Sequence, residues 1–197
     1  PQNRRGAAQR QAMFIQTEPT PNPATLKFLP GREVAGSRLA EFRSAAEAQN
    51  SPLASALFTV DGVSQVFLGG DFISVTKGAG EWQHLKPSIL GVIMEHFVSG
   101  APLFLEGGPQ QSEDDEFYEA ADSDTVEQIK ELLDTRVRPA VAGDGGDIRF
   151  RGFKDGVVYL AMKGACSGCP SSTATLKHGI QNLLKHFLPE VRAVEQV

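Results

Sequence analysis

The chain has 197 residues, enough for one or two domains, and its 41% hydrophobic and 22% charged content allows a packed core. A net charge of −5, with no basic cluster, argues against nucleic acid as the main partner. No apolar run approaches the roughly 20 residues that span a bilayer, and two closely spaced cysteines do not make an extracellular disulfide framework, so a reducing compartment is expected.

Residues 1–12 are polar and carry Arg4, Arg5 and Arg10 without an acid. They are expected to be a disordered or vector-derived extension, or the tail of a transit peptide, outside the fold. Residues 14–16 read as a short strand, and Pro19, Pro21 and Pro23 suit a rigid extended turn. Residues 26–29 alternate toward a second strand, stopped by Pro30-Gly31. Ser37 is a candidate N-cap for a helix over 37–48, with Leu39, Phe42 and Ala46 inward. Residues 52–58 read as one or two further helical turns. Residues 63–68 and 72–75 are expected strands of a hairpin about Gly69-Gly70-Asp71. Residues 86–98 follow as an amphipathic helix that gathers Ile89, Val92, Ile93, His96 and Phe97 on one side. These elements make an N-terminal domain over residues 13–105. Its glycine pairs lack the Lys-Ser/Thr of a phosphate loop and are read as turns.

Residues 106–123 contain Gly107-Gly108-Pro109 and then the acidic run Glu113-Asp114-Asp115-Glu116, without Lys or Arg, and are expected to be an acidic flexible linker. A second domain is expected over 124–197. Val126, Ile129, Leu132, Leu133 and Val137 give one helical face, ended by Arg138-Pro139. A hairpin about Lys154-Asp155 follows, then the two cysteines, a helix over 171–187 and a last strand over 191–197. The fold class is therefore α/β (α+β), two small domains, the C-terminal one α-β-β-α-β with a three-stranded sheet. Asp144 and Asp147, beside glycines, are read as turn and cap residues rather than a metal site.

The chemistry concentrates in Lys163-Gly164-Ala165-Cys166-Ser167-Gly168-Cys169-Pro170, which holds both cysteines of the chain. A buried strand precedes it and a helix follows, with Pro170 fitted to the first helical turn. Free N–H groups and the positive dipole end there favour thiolates. Three chemistries fit: a thioredoxin-like dithiol oxidoreductase, a zinc-binding interaction module, or an iron–sulfur cluster. The redox fold needs more chain after its motif helix than one short strand. Zinc needs two further ligands, and His178 and His186, roughly 12 Å apart along a helix, cannot both reach one ion. Iron–sulfur clusters usually take four thiolates; one chain offers two and a symmetric dimer offers four, so the count predicts a cluster shared between subunits.

Residues 138–171, with Arg138-Pro139, Asp144-Gly145-Gly146-Asp147 and Gly164-Ala165-Cys166-Ser167-Gly168-Cys169-Pro170-Ser171, resemble the NifU-like C-terminal domain. Met13-Phe14-Ile15-Gln16-Thr17 and Pro21-Asn22-Pro23-Ala24-Thr25-Leu26-Lys27-Phe28 resemble the N-terminal domain of two-domain Nfu members. The resemblance covers nearly all of residues 13–197. It implies a non-enzymatic scaffold or carrier that binds a [4Fe–4S] cluster between two subunits, with a [2Fe–2S] form as an alternative, and passes it to apo-proteins. By carry-over Cys166 and Cys169 are the cluster and metal ligands, and no residue is catalytic. The implied partners are a second copy in the loaded state, apo iron–sulfur clients and upstream cluster assembly proteins, without nucleic acid or membrane. The expected location is a bacterial cytoplasm, with the mitochondrial matrix as alternative.

Overall fold

A computed structural model describes residues 14–105, 116–167 and 170–197. The extension expected over 1–12 lies outside the described residues, as do Cys169 and the acidic run through Asp115.

The first unit is a five-stranded sheet in the order β1-β2-β5-β4-β3, antiparallel throughout. Its strands are β1 (Gln16–Pro19), β2 (Thr25–Leu29), β3 (Ala40–Phe42), β4 (Val63–Leu68) and β5 (Ile73–Lys77). Two helices, α1 (Pro52–Phe58) and α2 (Trp82–Ser99), cover one face. Ser51 caps α1, its Oγ accepting from the Ala54 N–H at 3.3 Å, and Pro52 stands in the first turn where no amide is needed. Leu53, Leu57, Ile89 and Ile93 meet Phe28, Phe42, Val66 and Val75 in one apolar cluster. Each fully buried side chain there contributes about 1.5–3 kcal/mol over its exposed state.

Three expectations change in this unit. The strand expected over 14–16 is β1 at Gln16–Pro19, with Pro19 paired to Leu26 rather than in the turn. The helix expected over 37–48 is instead the strand β3 and a 3₁₀ turn at Glu47–Asn50. Ala40 and Phe42 pair with Leu68 and Val66 of β4 and turn inward at the two-residue period, which overrides the three-residue spacing of Leu39 and Phe42. Meanwhile α2 starts four residues before the expected helix and carries Pro87 inside it. The hairpin about Gly69-Gly70-Asp71 forms, closed by Gly69 N–H donating to Phe72 C=O at 2.9 Å.

The second unit has α3 (Ser123–Leu132) running through a π-helical segment, Leu133–Val137, into α4 (Arg138–Gly143). The helix was expected to stop at Arg138-Pro139. The wider π turn ends at Val137, with Arg138 between it and Pro139, which lacks an amide to continue the ladder, and the chain stays helical to Gly143. A sheet β6-β7-β8 follows, built from β6 (Gly146–Lys154), β7 (Val157–Gly164) and β8 (Ala193–Gln196). The β6–β7 hairpin turns through Asp155 and Gly156, both at positive φ, a pairing suited to a two-residue loop. Between β7 and β8 runs α5 (Pro170–Phe187), and β8 pairs parallel with β7. Ile129, Leu133, Val141, Ile148, Leu160, Ile180 and Leu184 form its own core.

The linker expected over 106–123 differs in its described part. Phe117 bridges to Gly152 of β6, its N–H donating to Arg151 C=O at 3.0 Å and its C=O accepting from Phe153 N–H at 2.9 Å. A β-bulge between Phe150 and Gly152 and the bare Gly152 make room for the ring, which a Cβ on Gly152 would meet at 2.4 Å. Glu116 also pairs with Lys130 of α3. This short stretch is part of the second unit's surface.

Candidate metal centre at the cysteine turn

The turn is pinned at both ends. β7 ends at Gly164, whose φ of 67° is a left-handed conformation that a side chain would strain. Ala165 N–H donates to Gly145 C=O at 3.2 Å, tying the turn to the start of β6. Ser167 closes it, its N–H and Oγ both donating to Gly164 C=O, at 3.1 and 3.0 Å. On the far side, Thr173 Oγ1 of α5 donates to Cys166 C=O at 2.9 Å.

Cys166 is a free thiol, 7% exposed, turned into the second unit's core. Gly146 makes room for it: a Cβ there would lie 2.6 Å from Cys166 Sγ and 2.7 Å from Lys163 C=O. Burial, reinforced by the negative charges of Asp144 and Asp147, pushes the thiol up to about 12. In this conformation the sulfur is a neutral thiol in a glycine-lined cradle. A thiol one turn before a helix start suits a soft metal or cluster, but it must ionise and turn outward to ligate.

Asp147, expected to serve a turn, is a buried residue of β6. Its carboxylate accepts from Arg138 Nε at 2.9 Å and from Arg149 Nε at 3.0 Å, so two guanidinium groups hold it beneath the turn. The Arg-Pro and Asp-Gly-Gly-Asp motifs are thereby joined by one ion-pair network. Lys163, at the end of β7, is held below its ordinary value by burial, partly offset by Glu41. Of the two histidines weighed as ligands, His178 sits 3.2 Å from Asn182 and His186 packs edge-on against Phe187. Among the described residues no three acidic, histidine or cysteine side chains gather into a metal-holding group.

The first unit supplies contacts that sequence reasoning missed. Its sheet presents the face opposite its helices to the cysteine turn. Glu41 Oε2 accepts from Gly164 N–H at 2.7 Å, Gln65 Nε2 donates to Ser167 Oγ at 3.2 Å, and Ser74 Oγ donates to Gly145 C=O at 2.5 Å. Lys27 Nζ donates to Gly143 C=O at 3.2 Å and lies 4.8 Å above the Phe72 ring. The one available sequence signal was polar alternation on four strands, which a solvent-facing sheet shows equally.

The scaffold protein Nfu/NifU N-terminal family matches residues 15–100, and the NifU-like domain family matches residues 129–195. The chain belongs to the NifU/Nfu family. It has the two-domain Nfu architecture, with the cysteine turn inside the NifU-like module. A protein of Drosophila virilis named NFU1 iron-sulfur cluster scaffold homolog, mitochondrial, is 53% identical over 194 residues, covering 98% of this chain and 64% of that protein. NifU-like protein 5, mitochondrial, of Arabidopsis thaliana is 51% identical over 191 residues, covering 95% and 69%. This Nfu-family chain thus spans about two thirds of the length of these relatives. A NifU-like protein from Saccharomyces cerevisiae, solved in solution, is 24% identical with a TM-score of 0.45, over 54% of this chain and 96% of its own.

Proposed function

We propose that this chain is an iron–sulfur cluster carrier: Cys166 and Cys169 of two copies bind a [4Fe–4S] cluster between them, and the pair passes it to apo-proteins. The observation that carries this reading is the position of Cys166, on the turn between β7 and α5 inside the NifU-like module, with the second thiol three residues on. Two thiols per chain fall short of the usual four, and an isologous pair of chains supplies the number. A [2Fe–2S] form would use the same ligands. The partners follow from the role: a second copy, an assembly protein that loads the cluster, and clients that receive it. No step requires substrate turnover, so the chain acts as a carrier and not as an enzyme.

A dithiol oxidoreductase keeps an exposed thiol of lowered pKa. The buried, hard-to-ionise Cys166 runs the other way. For location, we read the chain as mitochondrial. Both relatives above carry that word in their names, and the bacterial cytoplasm expected from sequence finds no support in them.

Anaerobic reconstitution with iron and sulfide tests the reading through visible absorption, iron and sulfide counts, and mass by size exclusion. The expected result is about four irons and four sulfides per two chains in a dimer, matching four thiolates per cluster. Loss of the cluster in Cys166→Ser or Cys169→Ser, with an unchanged apo fold, assigns the ligands. A double-serine variant that still takes up a stoichiometric cluster overturns the assignment.

A further inference from the structure

The outer face of the first sheet is polar in sequence yet buried in the structure. Lys27 and Ser74 are 6% and 1% exposed, and the Glu41 side chain 7%. Phe67, at 1%, belongs to neither apolar core. Its ring instead abuts Gly164, where a Cβ would meet Cδ1 at 2.9 Å, and it leans on Phe72 with centroids 5.8 Å apart. The four hydrogen bonds from Lys27, Glu41, Gln65 and Ser74 end on residues 143, 145, 164 and 167. Gly143 ends α4, Gly145 precedes β6, Gly164 ends β7 and Ser167 lies in the cysteine turn itself.

A ligand role for Cys166 requires its sulfur to leave the Gly146 cradle and face outward, toward a cluster that a second chain also reaches. Opening of the turn backbone for a second chain meets the first sheet directly. Ser167 and Gly164 lie one and two residues away, and each is held by the first sheet. Gly145, whose carbonyl holds Ala165, is itself held by Ser74. The sheet therefore grips the backbone on both sides of Cys166, and any opening of the turn works against that grip.

We propose that the outer face of the N-terminal sheet is a cap for the cysteine turn, released when the turn takes a cluster and a second copy of the chain. The proposal rests on the carrier reading above. In the apo chain Glu41, Gln65, Ser74 and Phe67 clamp the turn with Cys166 inward. In the loaded pair the clamp is open and the polar face is exposed.

Amide hydrogen exchange on the full chain tests it. The comparison is between apo wild type and an apo variant carrying Glu41→Ala, Gln65→Ala and Ser74→Ala. The expected result is Gly164 N–H exchange at least tenfold faster in the variant, with α2 and β6 amides keeping their protection as the fold control. Glu41→Ala alone, which removes only the carboxylate that accepts from Gly164 N–H, serves if the triple variant does not fold and is expected to give at least a threefold rise. Reconstituted wild type should show the same loss of protection at Gly164. Unchanged exchange at Gly164 in a folded variant overturns the cap. Retained protection in the loaded dimer overturns its release. If neither protein takes up iron and sulfide, the release fails together with the carrier reading, while the apo comparison still decides whether the sheet grips the turn.

Discussion

At Gly146 the absent side chain is itself the requirement. Gly146→Ala would place a methyl carbon against Cys166 Sγ and the Lys163 carbonyl, neither of which is the loose end of a flexible side chain. Such overpacking is expected to cost about 1–3 kcal/mol, read as a lower urea midpoint at unchanged slope. Gly91→Ala on the exposed side of α2 meets nothing within 4 Å and is expected to stabilise by about 0.5–1 kcal/mol, so two identical substitutions should move stability in opposite directions. His96 carries a pH signature. Burial in α2 lowers its value below the ordinary 6.5, favouring the neutral ring in the folded chain. Its contribution is whole above about 6.5 and is lost as pH falls from there through the folded value. His96→Leu should therefore lose less stability than wild type between pH 7.5 and 5.5 in urea titrations; equal losses would remove His96 as a source of acid sensitivity. At this scale the sequence was informative about identity and poor about partners. The cysteine spacing pointed to the turn directly, whereas Asp147 read as a turn residue because its two arginine partners lie in α4 and β6.

Elements were legible where the local period and the tertiary partner agreed. The β4–β5 and β6–β7 hairpins and the helices α1 and α5 fell where apolar spacing and turn residues placed them. β3 was misread because its two inward residues also fit a helical step, and only the edge of β4 decides between the two. The stretch after residue 115 was misread for the opposite reason: its composition is that of a spacer, and one aromatic ring seated on a bare glycine fixes it. Phe117→Ala should therefore release this segment. The expected outcome is a stability loss of about 1 kcal/mol, below the full core value because the ring is half exposed, with faster exchange of the Phe153 amide. An unchanged Phe153 amide would show that the backbone bridge holds without the ring.

At the scale of the molecule, two separate apolar cores meet through a polar face. Composition predicts the cores, but it cannot tell a wet polar face from one covered by the other half of the chain. Lys27, Glu41, Gln65 and Ser74 look like solvent residues strand by strand, and only the assembled topology brings them to the cysteine turn. The carrier reading makes its own prediction here. A cluster held by two chains is linked to their association, so dilution of the loaded protein should lower iron per chain and dimer fraction in parallel. Iron retained by a diluted monomer would place all the ligands on one chain.

The inward pose of Cys166 has a consequence for survival under oxidative stress. Damage to a cysteine begins at an accessible thiolate and climbs from sulfenic acid to sulfinic and sulfonic acids, the last two irreversible in most proteins. A sulfur held neutral beneath Gly146 offers peroxide neither the charge nor the access that this first step needs. In this pose the folded chain should thus outlast a peroxide burst with Cys166 intact. Mass spectrometry after peroxide exposure should find Cys166 oxidised more slowly in the folded apo chain than in urea, and equal rates would show that the pose gives no shelter. Exposure to damage would then be limited to the moments of loading and delivery.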